Sequence, residues 1–161
     1  MKIKFRLAEN SESETILSLY KAVIGTPFCT WNDDYPGETE ISNDLKTGNL
    51  FVLENERKII GAISIVPENE LDDLDCWSSN ENAAEFARVV LHSDYHGKGL
   101  AKILVSNILE EMKRRGIKNV HIAVAKKNIP AGKTYERLGF TTVGENELWG
   151  TTFYLCELEL K

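Results

Sequence analysis

His92-Ser93-Asp94-Tyr95-His96-Gly97-Lys98-Gly99-Leu100-Ala101 stands between an aliphatic run and an amphipathic one, with two glycines a single residue apart. In that setting the chain turns from a strand into a helix whose first N–H groups have no partner inside the helix. Glycine lets an anion approach the backbone closely, so His96, Gly97, Lys98, Gly99, Leu100 and Ala101 form a candidate cradle for phosphate oxygens. A dinucleotide site would need a third glycine where Lys102 stands, and an acid after a second strand; the sequence supplies neither. Gly132-Lys133-Thr134 ends like a nucleoside-triphosphate loop, but Lys127 occupies the place of that loop's first glycine and the tripeptide falls within a helical stretch.

Other reactive side chains are sparse. Cys29, Cys76 and Cys156 are far apart and lack a CxxC spacing, which points to neither a disulfide framework nor a zinc site. His92 and His121 fall on strands and read as structural histidines; no metal cluster is expected. Asp33, Asp34 and Glu38 alternate with Trp31 and Tyr35 in a segment without clear period. Charge and ring faces of that kind recognise an ammonium group, so Trp31, Asp33, Asp34 and Tyr35 are candidate substrate-binding residues.

The elements that must position these groups follow from period and punctuation. Residues 1–7 alternate as a strand. Ser11-Glu12-Ser13-Glu14 reads as a capping box before a helix carrying Ile16, Leu19, Tyr20 and Val23. A short helix is expected near 38–46, a hairpin over 50–54 and 58–66, an acidic loop over 68–82, and a strand over 83–92. The glycine turn then opens a helix to Arg115, followed by a buried strand at 119–125, a short helix from Pro130 to Leu138, and two strands near 140–145 and 151–160. Strand, helix and strand over 83–125 require a right-handed crossover with a parallel pair, while the hairpins require antiparallel pairing. The fold class is α/β (α+β), with a mixed, mostly antiparallel sheet and flanking helices in one domain over 1–161.

The chain has 161 residues, 42% of them apolar, and a formal net charge of −6. That length supports a real core, the apolar runs fall below the roughly 18 residues of a membrane span, and the net charge argues against nucleic-acid binding. No apolar leader core follows the first charges, so the expected location is the cytoplasm, away from a membrane. Charge is unevenly spread: Thr30–Glu85 carries a net −11 and Asp94–Arg137 a net +6. One fold with an acidic front and a basic back suits an anion on one side and a cation on the other.

His96-Gly97-Lys98-Gly99-Leu100-Ala101 resembles the [QR]-x-x-G-x-[GA] phosphate loop of the GNAT N-acetyltransferase superfamily, with His96 in place of Gln or Arg. The family's second signature, Asn-x-x-Ala-x-x-x-Tyr-x-x-x-Gly-Phe, is met by Asn128, Ala131, Tyr135, Gly139 and Phe140. The resemblance covers about the whole chain, in outline only over the first 80 residues. It implies acetyl-CoA as co-substrate and no metal. It places Val89, Val90 and Leu91 along the pantetheine arm, residues 96–101 on the pyrophosphate, Asn128 and Tyr135 beside the cofactor, and Lys98, Lys102, Lys126, Lys127 and Lys133 as a basic rim.

The resemblance also supplies roles. A phenol titrates near about 10 and a thiol near about 8.5, so Tyr135 suits the general acid that protonates the departing sulfur. Glu85 resembles the position of the glutamate base in the family's histone-acetylating branch; the alternatives are a water chain as the base and a structural ion pair of Glu85 with Arg88. A main-chain N–H near Leu91 would polarise the carbonyl. The implied activity is direct transfer of acetyl to the primary amine of a small-molecule or amino-acid-like acceptor. Alternatives are acetylation of a protein or peptide at lysine or the N-terminus, and a non-catalytic acetyl-CoA sensor. Dimers are common in the family, so a homodimer is a further expectation.

Overall fold

Strand alternation sorts the apolar residues to two faces and so builds three layers. The structure, a computed structural model, describes residues 1–67 and 70–161. Strands β1 (Ile3–Leu7), β2 (Leu50–Asn55), β3 (Lys58–Val66), β4 (Ala83–Leu91), β5 (Asn119–Ala125), β6 (Thr141–Leu148) and β7 (Thr151–Glu159) form one seven-stranded sheet in the order β1-β2-β3-β4-β5-β7-β6. Only β4 and β5 pair in parallel. Helices α1 (Ser13–Val23) and α2 (Glu38–Lys46) cover one face, and α3 (Leu100–Arg114) and α4 (Ile129–Arg137) belong to the other.

Period 2 on β2 meets the helical period on both sides of the sheet. Leu50 and Val52 join Ile16, Leu19, Tyr20 and Ile41 of α1 and α2, while Phe51 and Leu53 join Leu104, Ile108 and Met112 of α3. The fold class expected from the sequence is the one observed. Segment 26–36 holds turns and one isolated bridge between Asn32 and Tyr35, with no helix. Of the expected acidic loop over 68–82, Glu68 and Asn69 lie outside the described residues.

One local expectation is corrected. The reciprocal cap before α1 is formed by Glu12 accepting from the Glu9 N–H at 2.8 Å, not by Ser11 and Glu14. Arg6 grips the same carboxylate at 2.9 and 2.7 Å. A charge-assisted fork outcompetes a serine hydroxyl, so a single 3-10 turn over Asn10–Glu12 precedes α1.

Two irregularities of β4 break the regularity of the sheet at its centre. Ala62 faces Val90 and Ser64 faces Ala87, so β4 carries one extra residue at Arg88–Val89, with Arg88 at φ +53°. Such a bulge bends its strand and deepens the local twist. On the other edge, β4 pairs with β5 only at Ala83↔Asn119 and Ala84↔Val120. Beyond those pairs the two strands diverge.

Gly61 holds β3 against the end of β4. A Cβ there would lie 2.8 Å from Leu91 Cδ2 and 2.9 Å from the Val90 carbonyl oxygen. Because one of those neighbours is backbone, relief requires the strands to move apart. Gly61→Ala should lower stability by about 1–3 kcal/mol, read as a reduced urea midpoint.

Candidate active site

The divergence of β4 from β5 leaves a cleft of about 670 Å³. Its walls are Glu85–Val89 of β4 and Ile122–Ala125 of β5, closed from below by Asn128, Ala131 and Tyr135 around α4. Asn128 is placed by its own local chemistry: its Oδ1 accepts from the Ala131 N–H at 3.4 Å and caps α4. That cap sets the helix so that Tyr135, two turns on, sits edge-on to Phe86 with ring centroids 5.5 Å apart.

Tyr135 is buried, and its hydroxyl has no hydrogen-bond partner among the described residues. Burial pushes the phenol above its usual range, with Cys156 adding to the effect, so the hydroxyl keeps its proton at neutral pH. Glu85 also lines the cleft, and its carboxyl makes no hydrogen bond to another described residue. Its carboxyl is pushed up to about 8, chiefly by burial; Arg88 pulls it down, and Asp72 and Glu70 raise it further.

The expected ion pair of Glu85 with Arg88 is not formed. Arg88 is held instead by Asp44 of α2, with Nε and Nη2 both within 3.1 Å of the carboxylate, and its Nη1 donates to the Tyr35 hydroxyl at 3.1 Å. The bulge turns Arg88 toward α2 rather than along its strand. Ser64 donates to the same carboxylate at 2.7 Å.

Past the bulge, β4 offers main-chain groups to the gap. The His92 N–H donates to the Ile60 carbonyl at 2.7 Å, and alternation therefore turns Leu91 toward the edge that β5 has left. Val90, facing Ala62, spends its main-chain pair on β3, and its side chain lies in the core beneath α1 and α2. Val89 and Leu91 are the residues of the expected trio that face the gap. The His96 ring N–H donates to the Leu91 carbonyl at 2.9 Å, while its main-chain N–H is taken by Ser93. His96 thus ties the end of β4 to the turn, and the cradle begins at the next residue.

From Gly97 to Lys102 six consecutive N–H groups donate to no acceptor among the described residues. Gly97 and Gly99 have φ of +75° and +77°, and a Cβ on either would meet nothing within 4 Å. The loop is an open anion nest at the head of α3. Leu100 anchors it by burying its side chain in the core. Lys98 and Lys102 stand on its rim, while Lys126 is engaged with Glu145 at 2.7 Å.

The acidic, aromatic segment around Asp33 is placed differently from the sequence reading. Trp31 and Tyr35 line the cleft, but Asp33 and Asp34 are exposed and do not. An Asx turn explains this: Asn32 Oδ1 accepts from the N–H groups of Asp34 and Tyr35, at 2.8 and 2.9 Å, and throws the two acids outward. Glu70, Phe28, Trp149 and Phe153 line the cleft as well, beyond the residues the sequence singles out. Glu70 carries a signal in the acidic stretch; Trp149, on a hairpin tip, carries none. His121 is buried, stacked on Trp77 at 4.1 Å, and donates to the Ser79 carbonyl at 2.9 Å, as a structural residue does. No helix among the described residues is long and apolar enough to cross a membrane. No group of three His, Cys, Asp or Glu among them could hold a metal ion.

Solved acetyltransferases share this fold. A GNAT-family acetyltransferase of Streptococcus agalactiae superposes with a TM-score of 0.82 at 20% identity, covering 99% of this chain and 96% of that one. The yncA protein of Salmonella typhimurium, solved with its cofactor acetyl-CoA, gives 0.79 at 19% identity over 100% of this chain and 95% of its own. Residues 16–140 match the model of the acetyltransferase (GNAT) family, and the chain belongs to that family of acetyl-CoA-dependent acyltransferases. Among curated relatives, mycothiol acetyltransferase of Corynebacterium aurimucosum is 37% identical over 75 residues, 45% of this chain and 25% of that protein. The chain thus spans about a quarter of that relative's length.

The raised Glu85 carboxyl has a consequence for stability. Between the usual 4.5 and about 8 it is protonated in the fold and ionised in the unfolded chain. The folded state then binds the extra proton, so this group's contribution to stability falls as pH rises through that window. Tm of wild type minus Tm of Glu85→Gln should therefore decrease from pH 5 to pH 9; a flat difference would show that the carboxyl is not shifted.

Proposed function

We propose that the protein is an acetyl-CoA-dependent N-acetyltransferase acting on the primary amine of a small molecule by direct attack in a ternary complex. The observation that carries this reading is the nest of six free N–H groups joined, through β4, to a cleft that ends on the unpartnered Tyr135 hydroxyl. The residues fit the co-substrate: the nest at Gly97–Lys102 suits its pyrophosphate, and the free edge of Val89 and Leu91 suits amide groups that add as a strand would. Bound there, acetyl-CoA supplies the activated acyl carbon.

This chain's residues supply the rest. Glu85, poised near 8, accepts the proton that the acceptor ammonium must lose before its nitrogen can form the new C–N bond. The outward Leu91 N–H donates to the oxygen on which negative charge gathers. Tyr135, protonated and buried, gives its proton to the sulfur as the C–S bond breaks, and the second proton that the nitrogen sheds on becoming an amide restores the phenol. Location in the cytoplasm and a homodimer belong to the same proposal.

Tyr135→Phe should lower kcat by about 10²–10⁴-fold while the acetyl-CoA Kd from calorimetry stays within about threefold of wild type. Equal turnover would remove the general-acid role. The rate should also rise with pH through about 8, as Glu85 ionises, and Glu85→Gln should lose that limb of the profile. Gly99→Glu puts a carboxylate and a disfavoured φ into the nest, so it should weaken acetyl-CoA binding by at least about tenfold; undiminished affinity would place the co-substrate elsewhere.

A further inference from the structure

We infer that Trp149 is the specificity-determining residue of the cleft and that the acceptor is an amine with a flat aromatic body and no acidic group. This rests on the N-acetyltransferase reading and narrows its acceptor class.

The first observation is conformational. Trp149 and Gly150 join β6 to β7 with φ of +52° and +77°, the pair of left-handed residues that a two-residue hairpin turn of type I′ demands. Asn, Asp or Gly fit the first of those positions, and a bulky aromatic residue there is disfavoured. The indole does not recover that cost by burial, since Trp149 remains 66% exposed. It lines the cleft and meets Phe153 edge-on, with centroids 5.6 Å apart. A residue held against local preference and left in solvent at the mouth of a site points to a role in that site.

The second observation is the company it keeps. The exposed aromatic residues are Phe28, Tyr35, Trp149 and Tyr154, and the first three line this one cleft. Trp31 lines it too, fixed edge-on against Tyr20 at 5.4 Å. Exposed rings gathered around one opening form a surface that a flat apolar group covers, and ring faces also favour a cation.

Charge sets the remaining condition. Among the described lining residues the ionisable acids are Glu70 and Glu85, and the one guanidinium or ammonium is Arg88. Arg88 is committed to Asp44 and Tyr35. A carboxylate on the acceptor would therefore find no free cation to meet it, whereas an ammonium finds hydrogen-bond acceptors in the Glu70 and Glu85 carboxyls.

Full-length protein should be assayed for thiol release from acetyl-CoA with 2-phenylethylamine, phenylalanine (the same skeleton with a carboxylate), n-butylamine and 1,4-diaminobutane. The expected order places 2-phenylethylamine at least about tenfold above each of the others in kcat/KM. Trp149→Asn should cut that preference to within about threefold by raising KM for the aryl amine. Its Tm should be equal to or above wild type, because Asn suits the turn, and its acetyl-CoA Kd should be unchanged. Trp149→Phe should keep most of the preference. Equal or better use of phenylalanine, butylamine or diaminobutane overturns the inference, as does a Trp149→Asn protein that fails to fold or retains the ring preference. If acetyl-CoA is bound and consumed with one of those other amines, the inference alone fails. If acetyl-CoA is not bound, the enzyme reading fails with it.

Discussion

β4 and β5 part after two paired residues, and the parting leaves main-chain donors and acceptors without a strand to satisfy them. Backbone polar groups in a partly covered cleft need a partner, so the gap is chemically a request for an extended, amide-bearing ligand. The Arg88–Val89 bulge bends β4 on its other edge. Asp44 and Tyr35 hold the Arg88 side chain that the bulge turns toward α2, and Ser64 steadies the Asp44 carboxylate. A buried ion pair contributes little net stability once both charges have been desolvated. Its use here is positional: it ties α2, the 26–36 segment and β4 together at the point where the strand must bend.

The two ends of the gap are organised by opposite means. At the nest, main-chain groups have been left free, with Leu100 buried as an anchor and the His96 ring clamping the Leu91 carbonyl. At the other end stand side chains with few local partners: the Tyr135 hydroxyl and the Glu85 carboxyl, both shifted upward by burial. Low polarity suits both groups to the proposed roles, keeping one protonated as a donor and bringing the other toward the range where a base works at neutral pH.

Legibility in the sequence tracks the range of the interactions. The glycine loop, the Asn128 cap and Tyr135 can be read because each lies within a strand-to-helix or helix-start signal a few residues long. The acidic front of the chain is also readable, but its meaning is not. Asp33 and Asp34 face solvent because Asn32 folds the backbone back on itself, whereas Glu70 and Glu85 face the cleft because of where β3 and β4 run. Net charge over a segment says nothing about which carboxylates share a face. Proximity along the chain pairs Arg88 with Glu85, three positions away, yet its partner is Asp44 on a helix across the sheet.

By itself the sequence determined the elements, the mixed sheet, the glycine turn at the head of α3 and the tyrosine of the second motif, because these depend on backbone conformation and short-range spacing. The tertiary structure decided how far β4 and β5 stay paired, which of Val89, Val90 and Leu91 turn toward the gap, which acids and aromatic rings line the cleft, and that a tryptophan in a left-handed turn position stands among them. Those outcomes depend on register, bulges and long-range ion pairs, which couple residues distant in the chain and leave no local pattern to read.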